Sequence, residues 1–197
     1  MACIEWQIEP IKYELRFDWS ISRNTSTYKV NYLVLINKRV CGEFAPNEYF
    51  GESDKKIQED IKNFLDTIIS YNQPEDVLHF CDEARLEKRL SHSLLAGVEM
   101  ACMKHFNLFS RFIFDCTREC RSSISVPIME MKNFLQYFKK MNLVDFRLIK
   151  IKSGCELPYE IIKLICDQTE SQICIDYNEA LSSLEVAQEH LNLLKKF

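Results

Sequence analysis

Two short stretches hold the residues best placed to do chemistry. FRLIKIKSG (146–154) sets Lys150 and Lys152 inside an apolar run, and ICIDYN (173–178) ends a second run in Asp176 and Asn178. Side chains of a strand alternate between its faces, so the two lysines share one face, ~6–7 Å apart at a rise of ~3.3 Å per residue. Cys174 and Asp176 share a face for the same reason. Neighbouring parallel strands lie ~4.8 Å apart, which lets Asp176 and Lys152 meet in one polar pocket. Burying ammonium groups is costly unless a counter-charge offsets them. The carboxylate of Asp176 and the amide of Asn178 offer the oxygens that a hard cation takes. A lysine beside a second cation and a metal has its pKa pushed down, towards a usable general base. A buried Lys–Asp ion pair, or lysines snorkelling out at a strand end, is the other reading of the same residues.

The elements that must position these residues follow from periodicity. From about residue 119 onward, strand and helix patterns alternate. SSISVPI (122–128), RLIKIK (147–152) and QICID (172–176) read as strands. EMKNFLQYFKKM (130–141), PYEIIKLICDQT (158–169) and SLEVAQEHLNLLKKF (183–197) read as helices, the last opened by a Ser182-x-x-Glu185 capping box. Three such repeats at roughly 25-residue spacing predict right-handed crossovers and a parallel sheet, with functional groups at the carboxyl ends of the strands.

The first part of the chain reads differently. CIEWQIEPIKYELRF and YKVNYLVLINKRVCGEFA, the latter with a polar break at Asn37-Lys38, predict strands separated by the polar loop SRNTST, an antiparallel pair or meander. Ile57, Ile61, Phe64, Leu65 and Ile68 predict an amphipathic helix starting near Ser53. Pro74 and the acids after it open another helix. Leu86, Leu90, Leu94, Gly97, Val98 and Ala101 form one apolar stripe whose small residues predict close packing on a neighbour. Strands first and helices after predict an α+β unit.

Composition narrows the function classes. The 197 residues carry a net charge of −4, so there is no basic footprint for nucleic acid. No apolar run reaches the ~18 residues of a spanning helix. The N-terminus, MACIEWQIEP, has no basic region ahead of an apolar one, so neither a signal peptide nor a membrane partner is expected, and the location is expected to be cytoplasmic. Nine cysteines then read as reduced thiols packed as small hydrophobes. Cys116 and Cys120 are the closest metal-type pair, and no second Cys/His pair follows at zinc spacing.

FRLIKIKSG followed by ICIDYNEA resembles the K-x-K and D-x-N strand ends of the enolase superfamily, in its muconate-lactonizing and dipeptide-epimerase branch. CGEFAPNEYFGES (41–53) is similar to that family's G-E-A-x-P…Y-G-E/T segment, and HSLLAGVEMACMKHF (92–106) to the helix before the barrel. RSSISVPI (121–128) resembles its first barrel strand, and WSISRNTSTYKVNYLVLI (19–36) its flexible substrate loop and second strand. The matches run in family order along nearly the whole chain.

The resemblance implies an α+β capping domain (1–118) followed by the start of an α/β (TIM-type) barrel of about three βα units (119–197). It implies proton abstraction α to a carboxylate, giving an enediolate stabilised by Mg²⁺. Lys152 would be the base, supported electrostatically by Lys150. Asp176 would be a metal ligand with Asn178 beside it. Arg23 would face the distal acidic group of a dipeptide substrate such as Ala-Glu, Tyr49 and Phe50 would belong to a loop of the cap, and Ser122 stands where many members have Thr. A (β/α)₈ barrel needs ~250 residues by itself, so the resemblance also implies an incomplete barrel. The further metal carboxylates and the opposing acid/base are missing from it, and its exposed edge favours homo-oligomers. The alternatives are a muconate cycloisomerase- or succinylbenzoate synthase-like enzyme, a catalytically inactive truncated relative acting as a binding or scaffold protein, and an unrelated small α/β domain.

Overall fold

The structure is a computed structural model that describes residues 4–21, 25–68, 71–108 and 122–197. The chain divides into two compact units, Met1–Glu14 with Tyr28–Cys116 and Leu15–Thr27 with Thr117–Phe197. The expected boundary at 118/119 lies outside the described residues, as do Arg23, Cys116 and Cys120.

Strands β1 (Trp6–Ser20), β2 (Thr25–Ile36) and β3 (Arg39–Phe44) form a three-stranded sheet in that order. β2 and β3 pair antiparallel, with Tyr32 opposite Phe44 and Ile36 opposite Arg39. The turn between them places Asn37 and Lys38 at φ 51° and 63°, the left-handed pair that a two-residue hairpin requires. Thr25 and its neighbours extend β2 into the stretch read from sequence as a loop, so the sheet takes more of SRNTST than its polarity suggests.

Helices α1 (Asp54–Ile68), α2 (Pro74–Leu86) and α3 (His92–His105) follow. Ile57, Phe64 and Ile68 of α1 are fully buried with Val34 and Ile36 of β2, Val77 of α2 and Leu94 and Val98 of α3. Packing of α3 on β3 is closest at two glycines. A Cβ on Gly42 would stand 2.2 Å from the Gly97 carbonyl oxygen, and one on Gly97 would stand 2.8 Å from Phe44 Cδ1. The expectation of close packing from small residues is met there. The single stripe from Leu86 to Ala101 is not. α2 ends at Leu86, which is 83% exposed, and Lys88 at φ 55° turns the chain before α3 begins at His92. A left-handed residue resets the helical phase, so the spacing of leucines across it carries no common face.

In the second unit, β4 (Ile124–Val126), β5 (Leu148–Lys152) and β6 (Gln172–Asp176) form a parallel sheet in chain order. Helices α4 (Met131–Lys140), α5 (Tyr159–Gln168) and α6 (Leu184–Leu194) alternate with the strands. This is the expected order of an α+β unit followed by three βα units. Ile149 and Ile151 of β5 and Val126 of β4 bury against Phe134 and Tyr137 of α4 and Ile161, Ile162 and Ile165 of α5. Each buried Ile or Phe contributes about 1.5–3 kcal/mol of burial free energy, which fixes which face of the sheet the helices cover. Phe17 belongs to this unit and lies 4.8 Å from the Tyr137 ring, with Lys140 over its face at 4.7 Å. The α6 cap is one residue later than expected: the Ser183 hydroxyl, not that of Ser182, accepts from the Val186 N–H. No described helix is long and apolar enough to cross a membrane.

Candidate active site

β5 alternates as its sequence predicts. Ile149 and Ile151 are buried on the helix-covered face, so Lys150 and Lys152 must emerge on the opposite one. In the parallel pairing Lys150 is the register partner of Cys174, and Lys152 that of Asp176. Ser125 of β4 is in register with Lys150 on the other side. Register partners in a parallel sheet point to the same face, so Ser125, Lys150, Lys152, Cys174 and Asp176 form one continuous patch.

The three charged groups of this patch converge on one atom. The Lys150 and Lys152 ammonium nitrogens each lie 2.7 Å from Asp176 Oδ2. The second oxygen, Oδ1, accepts the Asn178 backbone N–H at 3.0 Å. That contact closes an Asx-type turn, and Asn178 sits at φ 47°, a conformation Asn tolerates better than most residues. The Ser153 N–H donates to the Asp176 carbonyl at 2.9 Å, so backbone pairing of β5 with β6 continues up to the site. Behind β6, the Tyr177 hydroxyl and His190 Nδ1 of α6 are 3.0 Å apart and hold the strand end to the helix.

Charge and burial set the protonation states. Side-chain exposure is 36% for Lys150, 14% for Lys152 and 24% for Asp176. Hydrogen bonds from Lys150 and then Lys152 hold the Asp176 carboxyl well below the ordinary carboxylate range. The same hydrogen bond pulls the Lys150 ammonium above the ordinary lysine value. At Lys150 the shared carboxylate outweighs the repulsion between the ammonium groups.

One carboxylate is a poor divalent-cation site, and both oxygens of Asp176 already accept hydrogen bonds. No group of three His, Cys, Asp or Glu side chains that could hold a metal ion occurs among the described residues. The described residues alone do not fit Mg²⁺.

The remaining expected site residues are spread over both units. Tyr49 and Phe50 belong to the first unit, in a 3₁₀ turn (Glu48–Phe50) held by Asn47 Oδ1 accepting the Tyr49 N–H and by Gly51 at φ 77°. Their rings meet edge to face at 5.2 Å and are 59% and 73% exposed. Ser122 lies before β4, three residues or ~10 Å of strand ahead of Ser125. Arg23 lies outside the described residues. The residue that reading the sequence missed is Ser125. Alternation alone could have placed it on one face of its strand, but the register that aligns it with Lys150 is a property of the paired strands.

No family model matches this sequence, and no curated protein matches it. Solved structures do. A dipeptide epimerase from Enterococcus faecalis, complexed with Mg and L-Leu-L-Tyr, superposes with a TM-score of 0.80 at 19% identity, over 99% of this chain and 59% of its own. The L-Ala-D/L-Glu epimerase from Bacillus subtilis gives 0.72 at 18% identity, over 100% and 58%. A muconate lactonizing enzyme from Pseudomonas fluorescens, complexed with muconolactone, gives 0.73 at 16%, over 99% and 58%. The chain spans less than three-fifths of the length of these enzymes, and over that length its fold is the one these dipeptide epimerases and muconate lactonizing enzyme share.

Proposed function

We propose that the lysine–aspartate patch belongs to a site that moves a proton at the carbon α to a carboxylate, of the dipeptide-epimerase type, with a small carboxylate such as L-Ala-L-Glu as substrate. The observation that supports this most is the convergence of Lys150 and Lys152 on Asp176 at the carboxyl ends of two parallel strands. That is where parallel α/β folds collect their reactive groups. Lys152, the more enclosed lysine, first passes one ammonium proton to solvent and then, as a neutral amine, is the base that takes the α proton through Nζ. Lys150 stays charged and faces the negative charge that moves into the substrate carboxylate as the proton leaves. Asp176 keeps the two ammonium groups together before substrate arrives.

Arg23 would pair with a distal acidic group of the substrate, Tyr49 and Phe50 would supply an aromatic cover, and Ser122 would add a hydroxyl. Mg²⁺, present in the dipeptide epimerase complexes from Enterococcus faecalis and Methylococcus capsulatus, would need more carboxylates than the described residues bring together. The steps above are therefore those of the lysines alone. The test follows the α-proton signal of L-Ala-L-Glu in D₂O by NMR, with and without Mg²⁺. Exchange that disappears in Lys152→Met supports the reading. Exchange that survives this substitution, or that is absent from the unsubstituted protein, overturns it. A binding role without turnover is the second reading, favoured by the full hydrogen-bond occupancy of Asp176.

A further inference from the structure

The misfit between this patch and a divalent cation has a positive counterpart. We infer that the Lys150–Lys152–Asp176 cluster is a binding site for a small organic monocarboxylate with an apolar body, and that this binding needs no metal ion.

Charge decides between the two kinds of ligand. The patch holds two ammonium groups and one carboxylate, a net charge of +1, among the uncharged Ser125, Cys174 and Gln172. A monoanion brings the cluster to zero, whereas a divalent cation brings it to +3 in a partly desolvated place. Donors point the same way. Each ammonium has three N–H groups, and the contact with Asp176 Oδ2 uses one of each. The acceptors, by contrast, are taken. Oδ2 faces both lysines and Oδ1 accepts the Asn178 N–H, so a cation would have to displace existing bonds. Lys150 is the more exposed of the pair and is reachable by a ligand, while Lys152 is screened enough for its charge to act at close range.

The apolar body follows from the surface next to the cluster. A cavity of about 510 Å³ begins at Asn178, the residue that bonds Asp176, and is walled by Ile21, Ile128, Gly154 and Cys155. A carboxylate on the lysines would direct a short aliphatic chain along Ile21 and Ile128. This placement rests on the proposed function only for the position of the substrate carboxylate. Its test reads binding and not turnover, so the two can fail separately.

The experiment titrates isovalerate into ¹⁵N-labelled protein in EDTA and follows backbone amide shifts, with the neutral isovaleramide as control. Saturable shifts at Ser125, Lys150, Lys152 and Asp176 with isovalerate alone are expected, and millimolar MgCl₂ should leave the affinity within about twofold. Lys150→Met should weaken binding roughly tenfold. Asp176→Asn gives the sharpest sign. It removes the competing negative charge, so an anion site tightens severalfold, whereas a site that needs a metal held by Asp176 is lost. No saturable shift in the unsubstituted protein, a requirement for Mg²⁺, equal binding of isovaleramide, or loss of binding in a folded Asp176→Asn protein would each overturn the inference. If Asp176→Asn does not fold, the unsubstituted protein and Lys150→Met decide the matter.

Discussion

Lys152 Nζ lies 2.7 Å from Asp176 Oδ2 across two strands whose Cα atoms are register partners at that level. The contact ties the charged end of β5 to that of β6, and Lys150 reaches the same oxygen from two residues earlier. Stability should therefore follow the ionisation of this cluster. Asp176 has a folded pKa below its unfolded value of ~3.9. Its contribution is fully present above that value and is lost as pH falls through the folded pKa. Lys150 has a folded pKa above its ordinary value of 10.5, so its contribution is full below that value and is lost as pH rises through the folded pKa. Thermal melts from acid to alkaline pH should show a plateau between these limits, and Asp176→Asn should flatten both flanks. An acid limb unchanged in that variant would count against the assignment.

The two lysines should differ in kind. Lys152→Ala is expected to reduce α-proton exchange by roughly 10²–10⁴-fold, the usual worth of a general base. Lys150→Ala should reduce it less and raise the substrate concentration needed for half-maximal rate. Equal losses in both variants would show that neither has the base role alone.

The contact of α3 with β3 leaves no room for a methyl group. Gly42→Ala sets a Cβ against the Gly97 carbonyl, so it should destabilise the protein by about 1–3 kcal/mol. Chemical denaturation checks this through a lower midpoint at unchanged slope.

Thiol reactivity should divide by burial. Burial pushes the Cys81 and Cys102 thiols up to about 12, so they should resist iodoacetamide at neutral pH. Cys155 and Cys174 are exposed and should label first, as read by peptide mass spectrometry. Labelling at Cys174 should fall when isovalerate is present, since it shares the lysine face.

α6 has no buried residue, and its Leu184 and Leu191 are 69% and 60% exposed seven residues apart. β6 beside it ends the described sheet order. An uncovered strand edge beside exposed leucines favours self-association. Light scattering should show concentration-dependent growth in mass, relieved when Leu184 and Leu191 are both replaced by Glu. A protein that stays monomeric at high concentration would show that this face is not adhesive.

Most of the element order was legible in the sequence, because it rests on local physics. Alternation of Ile149, Lys150, Ile151 and Lys152 is enough to separate a core face from a charged one. Periodicity and helix-start residues place the helices, and the polar break at Asn37-Lys38 marks where β2 gives way to β3. Where local signals mislead, a single backbone angle is responsible. Lys88 in the left-handed region separates Leu86 from the leucines of α3, and hydrophobic spacing holds no record of it. The cap of α6 moved from Ser182 to Ser183 because neighbouring serines are equivalent in type and only the backbone decides between them.

The site itself needed the tertiary structure. By itself the sequence determined that two lysines and one aspartate stand at the ends of parallel strands, since strand pattern and crossover rules are local. It did not determine which atoms meet. Strand spacing already allowed Lys152 to meet Asp176, but only the pairing of β4 with β5 brought Ser125 into the patch, and only the pairing of β5 with β6 put both ammonium groups on one oxygen. That geometry raises the Lys150 pKa, because a shared anion at hydrogen-bond distance outweighs a neighbouring cation. Distances between residues far apart in the chain set such balances, and they exist only once the chain has folded.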